Sequence, residues 1–347
     1  MRFLPRPKRS VRALLPLALA LVGLLPAASG TSQIAPMSSH PLSVQPIEYR
    51  GWTHSLLLSN GLVEAIVVPA IGRVMQLRFT GDRDGPIWEN PALAGGNVAP
   101  DPKEWANFGG DKAWPSPQSD WDHFAGRGWP PPSAFDGCSM EATVDGTSAV
   151  ILASPIDPGY GVRVRRRIEL AADRPVMTIT TTYEKVAGSP VEVAVWVITQ
   201  LKDPLLVSAP LVGSSGKAAG FVLQSETPPP SLHAADSLLS LTRDPMQNHK
   251  IGMRAGTLVW VGATELLRID STLVSGKPYP DSGCSAEIYT NADPLAYVEL
   301  ELLGPLTRLA VGERIERVSS YSLARRSLPD PKLEVSRLLA APPAQVP

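Results

Sequence analysis

Residues 162–199 read VRVRRRIELAADRPVMTITTTYEKVAGSPVEVAVWVIT, and this stretch decides the fold class. Apolar and charged residues alternate through 162–170, which is the period of a strand with one buried face. Residues 176–183 and 191–199 are rich in Val, Ile and Thr, whose branched side chains favour strands. Turn residues, among them Asp, Pro, Gly and Ser, separate the three runs. The stretch therefore predicts three consecutive antiparallel strands.

The same pattern of short apolar runs and turns continues on both sides of this stretch. SNG at residues 59–61 and DG at residues 145–146 are hairpin signals, each between two apolar runs. Further strands are predicted at 62–68, 74–79, 140–144, 150–153, 257–261, 286–289, 296–303 and 313–323. Strands that recur about every 10 residues with turns between them are typical of a β-sandwich.

Only the C-terminal end has a helical pattern. Asp330 can cap a helix whose first position is Pro331. Its apolar face is predicted to consist of Leu333, Val335, Leu338 and Leu339. We therefore predict an all-β domain over residues 47–327. The Ser- and Pro-rich segment 31–46 predicts a disordered lead-in, and 328–347 a short helix with a frayed tail.

The N-terminus has the three parts of a secretory signal peptide. Residues 2–12 contain five basic side chains, 13–25 are apolar, and 26–30 offer small residues for cleavage. We expect residues 1–30 to be removed, which would place the mature protein in the bacterial periplasm or outside the cell. An uncleaved signal anchor is the alternative. No later apolar run is long enough to span a bilayer, so no stable membrane insertion is expected after cleavage.

Charge and cysteine content exclude several classes of function. The formal net charge is −1, and loss of the five basic residues near the N-terminus would leave −6. Such a protein is a poor candidate for nucleic-acid binding, which needs a basic surface. Cys and His residues show no zinc-binding spacing, so we predict no metal and no cofactor. The sequence leaves open whether Cys138 and Cys284 form a disulfide.

Segment 88–129 contains five of the eight tryptophans and includes the run NFGGDKAWPSPQ at 107–118. Its Gly and Pro content argues against a helix, and ordered irregular loops of this kind tend to carry function. Flat aromatic faces beside fixed polar groups suit a sugar ring. The predicted ligand-binding residues here are Asn107, Gly109, Gly110, Asp111, Lys112, Trp114, Gln118, Trp121 and Trp129. The alternative is a structural loop whose tryptophans fill the end of a β core.

Three segments of the sequence resemble a known superfamily. They are residues 60–74, which form an opening hairpin, residues 109–115, which contain the Gly-Gly loop, and residues 287–313, which form closing strands. All three are similar to the galactose-mutarotase-like superfamily, which includes sugar epimerases, polysaccharide lyases and glycoside hydrolases. The resemblance covers roughly residues 48–325. It implies a large twisted antiparallel β-supersandwich whose cleft holds a monosaccharide or oligosaccharide.

A narrower resemblance rests on residues 89–91, 108–118 and 134–137. These segments look like a bacterial branch of the superfamily known as DUF4380. The branch carries no assigned reaction, so this resemblance implies the fold and a sugar cleft but not a chemistry.

The catalytic residues implied by the resemblance are only partly present. The epimerases use a His on the strand after a Thr-rich strand and a Glu near the C-terminus as base. The corresponding strand here, 195–200, has no His, and Phe108 stands where a His or Arg often precedes the Gly-Gly loop. We therefore predict His249 as acid, because His titrates near neutral pH. Glu287 or Glu301 is the predicted base.

Alternatives to these roles remain open. His123 is the second candidate acid, and His249 could equally be a histidine of a surface turn. Glu299 and Glu301 should share one face of their strand, since residues two apart do so. That face could line the cleft or face water.

Three functions remain open at this stage. The first is an exported carbohydrate-binding protein, which in its enzymatic version interconverts sugar anomers or epimers. The second is a non-enzymatic structural or interaction domain of the cell envelope. The third is a lyase or hydrolase of acidic glycans, in which Arg73, Lys112 and Lys250 would neutralise a uronate. The basic run at 163–167 is predicted to be a solvated strand face, with binding of a sugar acid or phosphate as the alternative.

Overall fold

Two large antiparallel sheets pack face to face in the computed structural model, which describes residues 41–98, 104–212 and 220–342. The predicted signal peptide and most of the predicted lead-in lie outside these residues. In order across sheet 1, the strands are β1 (Ser43–Tyr49), β2 (Trp52–Ser59), β3 (Val63–Val68), β4 (Arg73–Phe79), β5 (Asp111–Ser116), β10 (Val191–Lys202), β19 (Tyr297–Leu303), β18 (Ala286–Thr290), β15 (His249–Met253) and β12 (Phe221–Leu223), with β20 (Thr307–Leu309) also paired to β10.

Sheet 2 covers one face of sheet 1. In order across it, the strands are β13 (His233–Ala235), β14 (Leu238–Leu241), β11 (Leu206–Pro210), β16 (Thr257–Val261), β17 (Glu265–Asp270), β21 (Arg314–Arg325), β9 (Val176–Lys185), β8 (Val162–Leu170), β7 (Ala149–Ile156) and β6 (Glu141–Asp145). The described helices are α1 (Trp121–Ala125), the short α2 (Pro280–Gly283) and α3 (Pro331–Ala340), with 3-10 turns at Pro69–Ile71, Pro91–Leu93 and Gln118–Asp120.

The space between the sheets is filled by apolar side chains and contains a buried polar cluster centred on Asp111. The apolar part is contributed by alternate residues of both sheets, including Leu77, Ile168, Ile179, Leu267 and Leu300. Asp111 on β5 points into this interior and is fully buried. It accepts hydrogen bonds from Thr199 at 2.6 Å and Tyr321 at 2.7 Å, and it pairs with the Arg166 guanidinium. These bonds join β5 and β10 to the opposite sheet.

The predicted all-β sandwich with few helices and a short C-terminal helix is confirmed. The predicted strands 162–170 and 257–261 have the observed bounds of β8 and β16, and the turn after β2 falls at the predicted SNG. Two segments differ from their prediction. Strand β1 begins at Ser43, inside the segment predicted as a disordered lead-in, because it pairs along its length with β2.

The second difference is the segment predicted as an irregular loop. Residues 111–116 form β5, which pairs with β10 from Asp111–Thr199 to Ser116–Ala194. Pairing with a long neighbouring strand overrides the weak β-propensity of its Asp, Lys and Pro residues. Residues 111–116 of the predicted loop therefore form a strand within sheet 1.

Candidate functional site

A row of residues in register crosses the middle of sheet 1. Lys112 on β5 lies opposite Ile198 on β10, and Ile198 lies opposite Glu301 on β19. Glu301 is in turn opposite Glu287 on β18, which is opposite Gly252 on β15. Because Asp111 points to sheet 2 and side chains alternate along a strand, this row faces away from sheet 2. We call this surface the outer face of sheet 1.

A carboxylate cluster occupies one end of the row. Lys250 Nζ lies 2.8 Å from Glu287 Oε2 and 3.1 Å from Glu301 Oε2, so these two oxygens are at most 5.9 Å apart. Trp196 Nε1 donates a hydrogen bond of 2.7 Å to Glu301, and Gln224 Nε2 donates one of 2.6 Å to Glu287. The Lys250 ammonium also stands 4.4 Å from the centre of the Trp196 ring. Both carboxylates are buried.

Burial and neighbouring charges shift the pKa values of Glu301, Lys250 and Asp281. Burial raises the pKa of Glu301 well above its usual range; the Lys250 charge opposes this shift and the Glu287 charge adds to it. Burial disfavours the charged form of Lys250, but Glu301 and Glu287 outweigh it and raise the pKa of this ammonium. Burial and the Glu287 charge raise the pKa of nearby Asp281 to about 6. The raised pKa favours the protonated form of Glu301, which makes this residue the candidate proton donor of the cluster.

Lys112 occupies the other end of the row and is almost without partners. Its side chain is 1% exposed, and its Nζ lies 3.5 Å from Glu299 and 5.2 Å from the centre of the Trp114 ring. Within the described residues, no group makes a hydrogen bond to this nitrogen. Burial lowers the pKa of the Lys112 amine, and Arg73 adds to this effect.

Other buried polar atoms near Lys112 also lack hydrogen-bond partners among the described residues. They include both amide atoms of Gln200, the Asn107 carbonyl oxygen and Glu301 Oε1. Gln200 lies opposite Glu299 on the same face of the sheet, and the Asn107 amide donates to the Tyr297 hydroxyl at 3.3 Å. A buried polar atom without a hydrogen-bond partner costs about 1–3 kcal/mol, and such atoms are few in folded proteins. Their concentration here is suited to a ligand rich in hydroxyl groups.

A cluster of tryptophans closes the side of the row near Lys112. Trp114 contacts Trp105, Trp121, Trp129 and Trp196 edge-on, with ring centres 5.3–5.9 Å apart. Trp121 is fully buried and donates to the Pro115 carbonyl, whereas 51% of the Trp129 surface is exposed. Of the three tryptophans predicted as stacking platforms, Trp129 is therefore the one that presents its ring to solvent.

Several predicted ligand-binding residues hold the loop together in this structure. Arg73 donates to the Gly109 carbonyl at 2.6 Å and pairs with Asp136 at 2.6 Å. Gly109 has a φ of 91°, and a Cβ at this position would meet the Trp88 carbonyl oxygen at 2.3 Å. Gly110 also has positive φ, at 81°. These three residues shape the chain that leads into β5.

Two more of these residues are also placed away from the row. Asp111 points into the interior between the sheets, as described above. Gln118 is exposed after β5, where its amide reaches the Gly128 carbonyl at 3.5 Å.

His249, the predicted acid, lies away from the carboxylate cluster. It precedes Lys250 on β15, so its side chain points to the opposite face of the strand. Its Nδ1 lies 2.9 Å from the Thr227 carbonyl and its Nε2 lies 2.8 Å from Asp244. Both ring nitrogens are therefore engaged. His123 is exposed on α1.

The sequence interpretation brought together Glu287, Glu301, Lys250 and Lys112 but missed Trp196, Gln200, Gln224 and Asp281. The period of β10 carries a usable signal, because Trp196 and Gln200 are an even number of residues apart and must share a face. Gln224 and Asp281 lie outside the strands of the row, and their approach to Glu287 depends on how distant loops fold. No local pattern contains that information.

The described residues contain no group of side chains suited to a metal ion. Cys138 and Cys284 are both free thiols. None of the described helices has the length and apolar character needed to cross a bilayer.

Comparison with solved structures shows the fold. A galactose mutarotase-like protein from Lactobacillus casei matches with a TM-score of 0.53 at 11% identity, covering 78% of this chain and 100% of its own. A proposed aldose 1-epimerase from Escherichia coli K12 matches with a TM-score of 0.52 at 13% identity, covering 82% and 100%. A galactose mutarotase-like protein from Clostridium acetobutylicum gives 0.50 at 9% identity, covering 82% and 99%. No family model and no curated protein matches the sequence.

Proposed function

We propose that this protein binds a sugar on the outer face of sheet 1 and interconverts its anomers, with Glu301 as the proton donor. The observation that carries the proposal is the directly opposed pair Glu287 and Glu301, held together by Lys250. A pair of neighbouring carboxyl groups is a recurring arrangement in acid–base catalysis. The fold that the chain shares with mutarotase-like proteins adds support, as do the unpartnered polar atoms beside the pair.

Ring opening of a cyclic sugar requires a proton on the ring oxygen and loss of the proton from the anomeric hydroxyl. Glu301 suits the first role, because its raised pKa favours the protonated form and its Oε1 has no hydrogen-bond partner among the described residues. Glu287 and Lys250 hold this carboxyl in place and are already paired with each other. Glu301 thus takes the acid role that was predicted for His249.

The charges around the site favour a neutral sugar over an acidic glycan. Each of the three cations that could neutralise a uronate already faces a carboxylate: Arg73 faces Asp136, Lys112 faces Glu299, and Lys250 faces Glu287 and Glu301. A negatively charged ligand would have to displace one of these pairs. The lyase or hydrolase alternative therefore has little electrostatic support.

Exchange spectroscopy by NMR on equilibrated aldoses tests the proposal. The wild-type protein should accelerate exchange between the two anomers of at least one neutral sugar. Glu301→Gln should reduce the rate about 10²–10⁴-fold, because the amide cannot donate a proton in the same way. Glu192→Gln is the matched control, since Glu192 lies exposed on β10. Equal rates for wild type and Glu301→Gln would contradict the assignment.

A structural domain of the cell envelope is the second candidate function. The observation that favours it is the burial of Trp114, Trp121 and Lys112, which are at most 5% exposed. A thermal-shift screen against neutral sugars, uronates and oligosaccharides distinguishes the two functions. A sugar that stabilises wild type but not Glu301→Gln supports the first. No shift with any sugar, together with strong destabilisation by Trp114→Ala, supports the second.

Export and a narrower family membership complete the proposal. The basic, apolar and small-residue segments of 1–30 support a cleaved signal peptide and a periplasmic or secreted protein. The phrases at 89–91, 108–118 and 134–137 support membership of the DUF4380 branch. A neutral sugar is the proposed partner, with no nucleic acid and no cofactor.

A further inference from the structure

We propose that Lys112 is a second catalytic residue of this site and acts as the base that removes the proton of the anomeric hydroxyl. The inference rests on the proposed function, in which Glu301 supplies the acid. It assigns the role of base to Lys112, whereas the sequence analysis predicted Glu287 or Glu301 as the base. It also accounts for the buried Lys112 nitrogen, which has an ion-pair contact with Glu299 at 3.5 Å but no hydrogen-bond partner among the described residues.

The register of sheet 1 places the two groups on either side of one residue. Lys112 and Glu301 both lie opposite Ile198, so their strands are separated by one strand. Neighbouring strands are about 4.8 Å apart, which puts the two Cα atoms about 10 Å apart. Both side chains project from the same face of the sheet, one on each side of Ile198. Ile198 between them provides an apolar floor.

The surroundings of Lys112 favour its neutral form. The titratable groups that face it are Glu299 on β19, Arg73 on β4, Asp136 and Glu301. Burial has the largest effect and lowers the pKa of the amine, Arg73 lowers it further, and the three carboxyl groups oppose this. A lysine whose ammonium form is disfavoured in this way can serve as a base. The Lys112 nitrogen lies 5.2 Å from the centre of the Trp114 ring.

The proton transfers balance over one catalytic cycle. The Lys112 amine takes the proton of the anomeric hydroxyl, and the O–H electron pair becomes the second bond of the new carbonyl group. The bond between the anomeric carbon and the ring oxygen breaks, and the ring oxygen receives the proton of Glu301. The products are the open-chain aldehyde, the Lys112 ammonium and the Glu301 carboxylate. Ring closure on the other face of the carbonyl returns both protons.

Access to Lys112 requires movement of the side chains above it. The amine is 1% exposed, and Trp114 next to it is covered by Trp105 and Trp129. Trp129 is half-exposed and follows the short helix α1, so it is the member of the tryptophan cluster that can move with the least loss of packing. Entry of the sugar is therefore expected to begin at Trp129.

Chemical rescue of Lys112→Ala is the decisive experiment. This variant should lose about 10²–10⁴-fold in kcat for anomer exchange. Small primary amines such as methylamine should restore the rate in proportion to their basicity, which a purely structural role of Lys112 would not produce. Lys112→Arg should remain inactive, because a guanidinium keeps its proton. Lys112→Met, which preserves most of the buried volume, replaces the Ala variant if that variant fails to fold.

The controls separate failure of this inference from failure of the proposed function. Lys277→Ala removes an exposed lysine and should leave the rate unchanged. If Glu301→Gln is inactive but Lys112→Arg keeps more than a tenth of the wild-type rate, or if no amine restores Lys112→Ala, the inference is overturned and the proposed function stands. If wild type exchanges no sugar, both are overturned.

Discussion

Arg166 and Arg167 are neighbours in sequence, yet their side chains lie in opposite environments. Arg166 is 1% exposed and pairs with the fully buried Asp111 between the sheets. Arg167 lies on the other face of β8 and reaches Glu169 at 2.6 Å with 36% of its side chain exposed. The sequence interpretation treated the whole run 163–167 as a solvated face. The two-residue period of a strand correctly places Arg166 and Arg167 on opposite faces. It does not predict that Arg166 pairs with Asp111, which lies on the other sheet.

The two arginines should therefore differ strongly in their contribution to stability. Arg166→Ala leaves Asp111 as an uncompensated buried charge, and we expect a loss of about 3–5 kcal/mol in the free energy of unfolding. Arg167→Ala removes a partly exposed ion pair, and we expect a loss of less than about 1 kcal/mol. Equilibrium denaturation with urea measures both values. Similar losses in the two variants would show that the Arg166 pair makes no special contribution.

Glu265, at the start of β17, should make stability depend on pH near neutrality. Burial, with a smaller effect of Asp82, raises its pKa to about 7, and Lys202 opposes this shift. A carboxyl group whose pKa is higher in the folded state favours folding while it is protonated. Its stabilising contribution is complete below the pKa of the unfolded chain, about 4.5, and is lost as the pH rises through about 7.

Comparison of thermal unfolding between pH 4 and pH 8 tests this dependence. Glu265→Gln should remain uncharged and should flatten the decline in Tm between about pH 4.5 and 7. Asp173→Asn is the control, because Asp173 is exposed and its replacement should leave the decline unchanged. Parallel pH profiles for wild type and Glu265→Gln would contradict the assignment.

At the scale of elements, α3 shows which features of a helix can be predicted from its own sequence. The predicted cap is present, since the Asp330 side chain accepts a hydrogen bond from the Lys332 amide, and Pro331 is the first helical residue. The predicted apolar face is only partly right. Val335 and Leu338 are buried against β11, β16 and β17, whereas Leu333 is 55% exposed. Spacing defines a stripe of residues, but the angle at which the helix meets the sheet decides which of them are buried.

Two leucines of α3 provide a matched test of this docking. Leu338→Ala should cost about 2–5 kcal/mol, because it leaves a cavity against sheet 2. Leu333→Ala should change the free energy of unfolding by at most about 0.5 kcal/mol, as expected for a surface position. Urea denaturation of both variants gives the comparison. A large effect at Leu333 would mean that this side of α3 is covered in solution.

Strand β5 shows where sequence reasoning about elements fails. Its residues have weak β-propensity, and the run was interpreted as a loop although every one of its residues is buried. The strand exists because β10 pairs with it and because Asp111 is anchored on sheet 2. Strands with alternating or β-branched sequences, such as β8 and β9, were predictable from local pattern alone. The element that carries Lys112 depends on contacts that are distant in sequence, and so does the site.

At the scale of the whole molecule, the two faces of sheet 1 differ in composition and in what they contact. The inner face packs on sheet 2 and contributes to the core, whereas the outer face carries Lys112, Glu301, Glu287 and Lys250 in a buried polar layer. A layer of this kind costs stability unless its groups are paired. The carboxylate cluster is paired through Lys250, whereas at the other end of the row Lys112 has a 3.5 Å contact with Glu299 and no hydrogen bond among the described residues. The sandwich thus provides the rigid support that lets this end of the row persist.

The two cysteines lead to a prediction for the whole protein, because the proposed export would expose the chain to an oxidising environment. Both thiols are free. Burial, with the charges of Asp136 near Cys138 and Glu287 near Cys284, raises the pKa of each thiol to about 12. Since the thiolate is the reactive form, neither thiol should react quickly with a disulfide reagent in the folded protein.

The mature protein purified from the periplasm or medium should therefore carry two thiols that react with Ellman's reagent only after denaturation. Its intact mass should correspond to a chain that starts near Ser29 or Thr31. Labelling of two thiols in denaturant without reductant, against none in the native state, is the expected result. Two thiols that appear only after reduction would show that Cys138 and Cys284 form a disulfide and would contradict this prediction.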